Sequence, residues 1–137
     1  MQRLIQHNAT EIRRLRSQIH ATWARRNENA AASELWRQAV AEFNRRYDAL
    51  AFPGGLSDGL RRLSAREPMA IEAALNFLEA RPYFFRSQYI ATKLLRLLKR
   101  LELSDGPAER LQSVLAAADL RKLARQHPSI ISREVTR

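Results

Sequence analysis

The chain has 137 residues, 45% of them hydrophobic, and no cysteine. One compact domain with a core of its own fits that length, whereas a disulfide scaffold, a cysteine-based zinc site and a thiol nucleophile are excluded, which suits a reducing cytoplasm. Lys plus Arg number 24 against 14 Asp plus Glu, a formal charge of +10, so the expected partner is an anionic macromolecule, either nucleic acid or an acidic protein.

No run of about 18 apolar residues is present, so no transmembrane segment is expected. The N-terminal stretch MQRLIQHNATEIRRLR lacks the apolar centre of a signal peptide. Only Lys93, Lys99 and Lys122 are lysines. Arginine offers a planar fork suited to phosphate and carboxylate, although coding in a GC-rich genome yields the same preference.

Apolar residues recur at three- and four-residue spacing and β-branched ones are sparse, which predicts helices throughout. A first helix is expected from about Leu4 to Arg26, with Ile5, Ile12, Leu15, Ile19 and Trp23 on one stripe and a capping-box spacing at Asn8 and Glu11. A second begins at Ser33 as N-cap and carries Leu35, Trp36, Ala39, Val40, Phe43, Tyr47 and Leu50. The short link between them predicts an antiparallel hairpin. Within it Trp23 and Trp36 meet as core packing.

Phe52-Pro53-Gly54-Gly55 is the clearest break. Ser57 is placed to cap a short helix through Leu60 and Leu63. Pro68 opens a helix using Ile71, Ala74, Leu75 and Leu78, and Arg81-Pro82 ends it. The next helix, from about Phe84 to Leu101, has the widest apolar arc: Ser87, Ile90, Ala91, Leu94, Leu95, Leu97, Leu98 and Leu101. It is therefore expected at the centre of the bundle. After a turn over Leu103 to Pro107, a last helix carries Leu111, Val114, Leu115 and Ala118; its stripe slips at Leu120 and Leu123, so Asp119 is read as the start of a separate short helix.

No repeat period holds. The fold class is all-α, a compact irregular helical bundle of about five to six helices that begins with the hairpin. It is read as a single domain over residues 1–126, with the 52–56 turn as the place for any subdivision and a frayed tail over 127–137.

No catalytic signature emerges. His7 and His20 are too far apart on one helix to share a metal, and His127 is remote. Glu72 and Glu79 read as solvated glutamates rather than an acid pair. Gly54, Gly55 and Gly59 read as turn chemistry, because no Lys-Ser or Lys-Thr follows. Neither an enzyme nor a cofactor is expected.

The basic segments are more specific. From Arg81 to Arg100 there are six basic residues and no acid. Arg86, Lys93, Arg96 and Arg100 fall on one side of the helix, opposite the leucines, with Lys99 at the edge and Tyr83 and Tyr89 nearby. Fixed cations flanked by aromatics are what a phosphate backbone and its bases require. From Arg13 to Arg26 there is again no acid. Arg3, Arg14 and Arg25 recur at three-turn spacing along its outer face, while Arg26 points toward the apolar side, either frayed or paired with an acid.

The candidate site is thus Arg86, Lys93, Arg96, Lys99, Arg100, Arg3, Arg14 and Arg25. The leading functional expectation is a nucleic-acid-binding or nucleoprotein-assembly module; the alternative is an adaptor that docks an acidic protein. A homodimer through the first helix is expected only if its isoleucine stripe is left free.

Overall fold

The chain folds as six α-helices over residues 1–126, the part that the computed structural model describes. They are α1 (Gln2–Arg25), α2 (Ala30–Ala51), α3 (Leu56–Ser64), α4 (Pro68–Ala80), α5 (Ser87–Lys99) and α6 (Asp105–Gln126), with no strand among the described residues. Residues Met1–Leu101 form one compact unit and a second begins at Glu102. The 52–56 turn lies inside the first unit. The tail read as frayed, residues 127–137, lies outside the described residues.

α1 and α2 pair as the expected antiparallel hairpin, because the Arg26–Asn29 link is short and both helices are amphipathic. On α1 the buried residues are Ile5, Ala9, Ile12 and Leu15, a helical stripe covered by α2 and α4. Of the expected stripe, Ile5, Ile12 and Leu15 are thus covered within the chain, whereas Ile19 is half-buried and Trp23 is exposed. Two caps differ from expectation. α1 is helical from Gln2, and Glu11 does not close a capping box; it binds Arg14 and Arg46 instead. α2 starts at Ala30 rather than at Ser33, because Asn29 Oδ1 accepts the Ala32 amide at 2.8 Å, satisfying a donor that the first turn leaves unpaired.

Phe52 ends α2 in an extended conformation, and Gly54 and Gly55 take positive φ of 80° and 97°, which reverses the chain. Ser57 sits inside α3 and does not cap it. The cap comes from α2: Asp48 Oδ1 accepts from the Ser57 amide at 3.0 Å and from its hydroxyl at 2.6 Å, placing a carboxylate at the positive end of the helix.

The central helix of the first unit is α4, not α5. α4 buries Ala70, Ala73, Ala74, Leu75, Phe77 and Leu78 and packs against α1, α3 and α5. Its three buried alanines let neighbouring backbones come close, and Phe77 packs against Phe52 and Phe84. α5 buries a narrower stripe of Ser87, Ile90, Leu94 and Leu98, with Leu95, Leu97 and Leu101 only half-buried. A wide leucine arc signalled apolarity correctly, but small side chains decided which helix sits innermost.

α6 runs without interruption through Asp119 to Gln126, so no separate helix begins there. Leu111 is buried, whereas Leu120 and Leu123 are exposed, which is what the slip of the stripe implies for a helix that keeps its register. No helix of the described residues is long and apolar enough to cross a membrane.

Two predictions follow from this packing. A β-carbon on Gly59 would meet the buried Phe52 ring, 2.6 Å from Cε1. Helix propensity alone would make Gly59→Ala stabilising by about 1 kcal/mol; overpacking should reverse the sign and cost about 1–3 kcal/mol in urea unfolding. Glu11 is held down to a pKa of about 2, from the ordinary 4.5, by its hydrogen bonds to Arg14 and Arg46. Its contribution is complete above the unfolded value and is lost as the pH falls from 4.5 toward 2. Glu11→Gln should flatten the acid limb of the stability profile across that window and leave the rest of the profile's shape unchanged.

Candidate functional site

The chain segment between α4 and α5 is short and heavily tied. Arg81 leaves α4 in a left-handed conformation with φ of 49°, Pro82 is buried, and Phe84 enters the core. Ser87 then closes a tight turn reciprocally. Its amide donates to the Phe84 carbonyl at 3.0 Å, and its Oγ accepts the Phe84 amide at 3.1 Å. That pairing explains why a serine lies buried on an apolar stripe. Arg86 at the apex has φ of 67°, a conformation that costs a non-glycine residue about 1–3 kcal/mol and persists only where its surroundings impose it.

Two helices of the hairpin impose it. Arg13 of α1 donates from Nη1 to the Tyr83 carbonyl, across 70 residues of sequence. Tyr47 of α2 donates its hydroxyl to the Phe85 carbonyl at 2.6 Å. Burial pushes the Tyr47 phenol above its ordinary pKa, opposed by Arg86, so it remains a donor at neutral pH. The Phe85 ring lies edge-on to Phe43 and Tyr47 and carries the Arg16 guanidinium 4.1 Å from its centroid, with the Arg86 guanidinium at 5.2 Å. Such cation–π contacts contribute about 0.5–1 kcal/mol at exposed sites, and they hold a charge in place without neutralising it.

These residues enclose an open cleft of about 490 Å³ whose wall includes Arg13, Arg16, His20, Tyr83, Phe85 and Arg86 and no carboxylate. The two acid-free stretches of the sequence thus meet in space. Arg16 Nε also donates to His20 Nε2 at 3.4 Å. Tyr83 is 79% exposed at the rim.

Along α5, Tyr89, Lys93, Arg96 and Arg100 share one face by helical spacing, all of them exposed. A second groove of about 390 Å³ is lined by Thr92, Leu95, Arg96, Lys99 and Arg100. None of these four cations forms an ion pair among the described residues.

The outer line of α1 is different. Arg3 is exposed and unpaired among the described residues, but Arg14 is bound to Glu11 at 2.6 Å and Arg25 to Glu28 at 3.3 Å. Both partners stand three residues away, so this loss of free charge was legible in the sequence. Arg26 caps α1 and has no acid partner among the described residues. Its guanidinium stacks 3.1 Å from the Trp23 ring, and its Nη1 donates to the Trp23 carbonyl at 2.8 Å. Trp23 and Trp36 do meet, with centroids 5.0 Å apart, yet Trp23 remains 45% exposed, so the pair closes the hairpin without entering the core.

Arg13, Arg16, His20 and Phe85 were not among the candidate site residues read from the sequence. The first two belonged to the acid-free stretch, but nothing local shows that α1 passes beside the 83–86 turn. Among the described residues no three His, Asp or Glu side chains gather as a metal site would need. No protein-family model matches the chain, and neither a curated protein nor a solved structure matches it significantly.

Tyr47→Phe removes one of the ties on the turn. It should cost about 0.5–1.5 kcal/mol in urea unfolding and speed hydrogen exchange at the Ser87 amide. An unchanged exchange rate would mean that Ser87 and Arg13 hold the turn by themselves.

Proposed function

We propose that the protein is a non-enzymatic binding module for nucleic acid, acting alone or as a subunit of a nucleoprotein assembly, through the cleft and the adjoining exposed face of α5. The observation that carries this reading is where charge is left uncompensated. Arg14, Arg25, Arg37, Arg45, Arg46, Arg61 and Arg62 each have a carboxylate within 4 Å. Arg16, Arg86, Lys93, Arg96, Lys99 and Arg100 have none among the described residues, and the stretch that holds the last five contains no acid.

A surface of this kind attracts a polyanion by displacing its condensed counterions. Exposed Tyr83 and Tyr89 beside the cations supply faces for bases, which favours nucleic acid over an acidic protein surface. The lack of cysteine accords with a cytoplasmic site of action. The oligomeric state enters this reading nowhere, since the cleft is complete within one chain.

The test is oligonucleotide binding as a function of salt. Affinity should fall steeply between about 50 and 200 mM salt, and protein purified at low salt should carry absorbance at 260 nm that a high-salt wash removes. The double charge reversal Arg96→Glu with Arg100→Glu should weaken binding at least about tenfold and make the salt dependence shallower. Absence of binding at low salt, or binding indifferent to salt, would sink this reading. Recovery of a single acidic protein in its place would instead support an adaptor that docks an acidic partner.

A further inference from the structure

We infer that the cleft between α1 and the 83–86 turn selects single-stranded over duplex nucleic acid, seating an unpaired base on Tyr83 and its phosphate between Arg16 and Arg86. This rests on the nucleic-acid reading above and names the form of nucleic acid that the same site takes.

The first ground is the shape of the site. An open cleft of about 490 Å³ lies within the size range of small-ligand sites, so it admits a nucleotide that has been splayed out of a strand. A duplex keeps its bases stacked inside and would reach only the rim. Duplex readers of the helical kind insert a projecting helix into the major groove, whereas the rings and cations here line an open cleft beside a turn.

The second ground is the way the cations are held. Arg16 is stacked at 4.1 Å on Phe85 and Arg86 lies at 5.2 Å from the same ring, so both are positioned by an aromatic face and not by a carboxylate. Their N–H edges stay unsatisfied by acid and are ordered before any ligand arrives, which lowers the cost of binding. Arg86 keeps its place at the expense of a left-handed backbone. A fork directed at a phosphate is the use that such an arrangement serves.

The third ground is Tyr83. It is 79% exposed, contributes little to the core, and yet its main chain is fixed by Arg13. A rigidly anchored, solvent-facing ring beside two guanidiniums is a stacking platform, and stacking tolerates any base. The site therefore recognises strandedness and has no means of reading sequence.

Anisotropy titrations of the full chain with labelled oligo-dT, oligo-U and a blunt DNA duplex of equal length, at one fixed salt concentration, test this. Both single strands should bind at least about tenfold more tightly than the duplex, and comparison of the dT and U arms separates DNA from RNA. Tyr83→Ala should weaken single-strand binding about five- to a hundredfold and duplex binding far less. Because Tyr83 is so exposed, its removal does not threaten folding, and the unfolding midpoint provides the control. Tyr83→Phe should restore single-strand affinity. Equal losses on single strands and duplex, or no loss at all, would overturn the inference while salt-dependent binding by the α5 cations still stood. A failure of every oligonucleotide to bind at low salt would bring down the underlying nucleic-acid reading, with capture of an acidic protein as the competing outcome.

Discussion

Six aromatic rings run in unbroken succession from the α2–α3 turn to the cleft: Phe52 against Phe77, Phe77 against Phe84, Phe84 against Tyr47, then Phe43 and Phe85, with centroids 5.4–6.4 Å apart. Most of these pairs are tilted or edge-on, the geometry that aromatic quadrupoles favour, and each contributes about 0.5–1.5 kcal/mol beyond its burial. The chain of rings threads α2, α4 and the 83–86 turn onto one rigid spine. Phe52 and Phe77 are almost wholly buried, whereas Phe85 reaches solvent. The surface cations of the cleft are therefore mounted on the end of the hydrophobic core itself.

Charge is partitioned along the molecule with similar economy. Over much of α1, α2 and α3 an arginine follows or precedes an acid by three or four residues, and those pairs are exposed and close to neutral in net effect. From Arg81 to Arg100 the acids stop. A formal +10 spread evenly would give a weak and featureless field; the same total, cancelled locally in some segments, leaves patches of free positive charge in others.

Much of the fold was legible in the sequence because its signals are local. The all-α class, the hairpin, Pro68 at the start of α4 and the glycine turn after Phe52 all rest on residues within a few positions of one another. Three kinds of feature escaped for reasons of distance or size. Asp48 caps α3 from the preceding helix, so Ser57 looked like the cap. α4 became the innermost helix through Ala70, Ala73 and Ala74, since hydropathy counts leucines and takes no account of how closely two backbones approach. The cleft depends on Arg13 finding Tyr83, and no spacing rule joins positions so far apart. Half of the site was nonetheless visible, because an acid-free helix announces its own free charge. That Arg14 and Arg25 are paired was equally legible, since each has an acid at three-residue spacing.

The tie between Arg13 and the Tyr83 carbonyl spans most of the first unit. A helical hairpin such as α1–α2 closes through contacts nearby in sequence and forms early, whereas a contact of such long range must await closure of the whole intervening loop. The cleft consequently exists in the folded chain and in no partially assembled precursor containing α1 and α2 alone. An anion that prefers the assembled cleft to the unfolded chain would raise the melting temperature with the logarithm of its concentration, to the extent of that preference. A chain that has not yet received residues 83–86 therefore has no cleft at all.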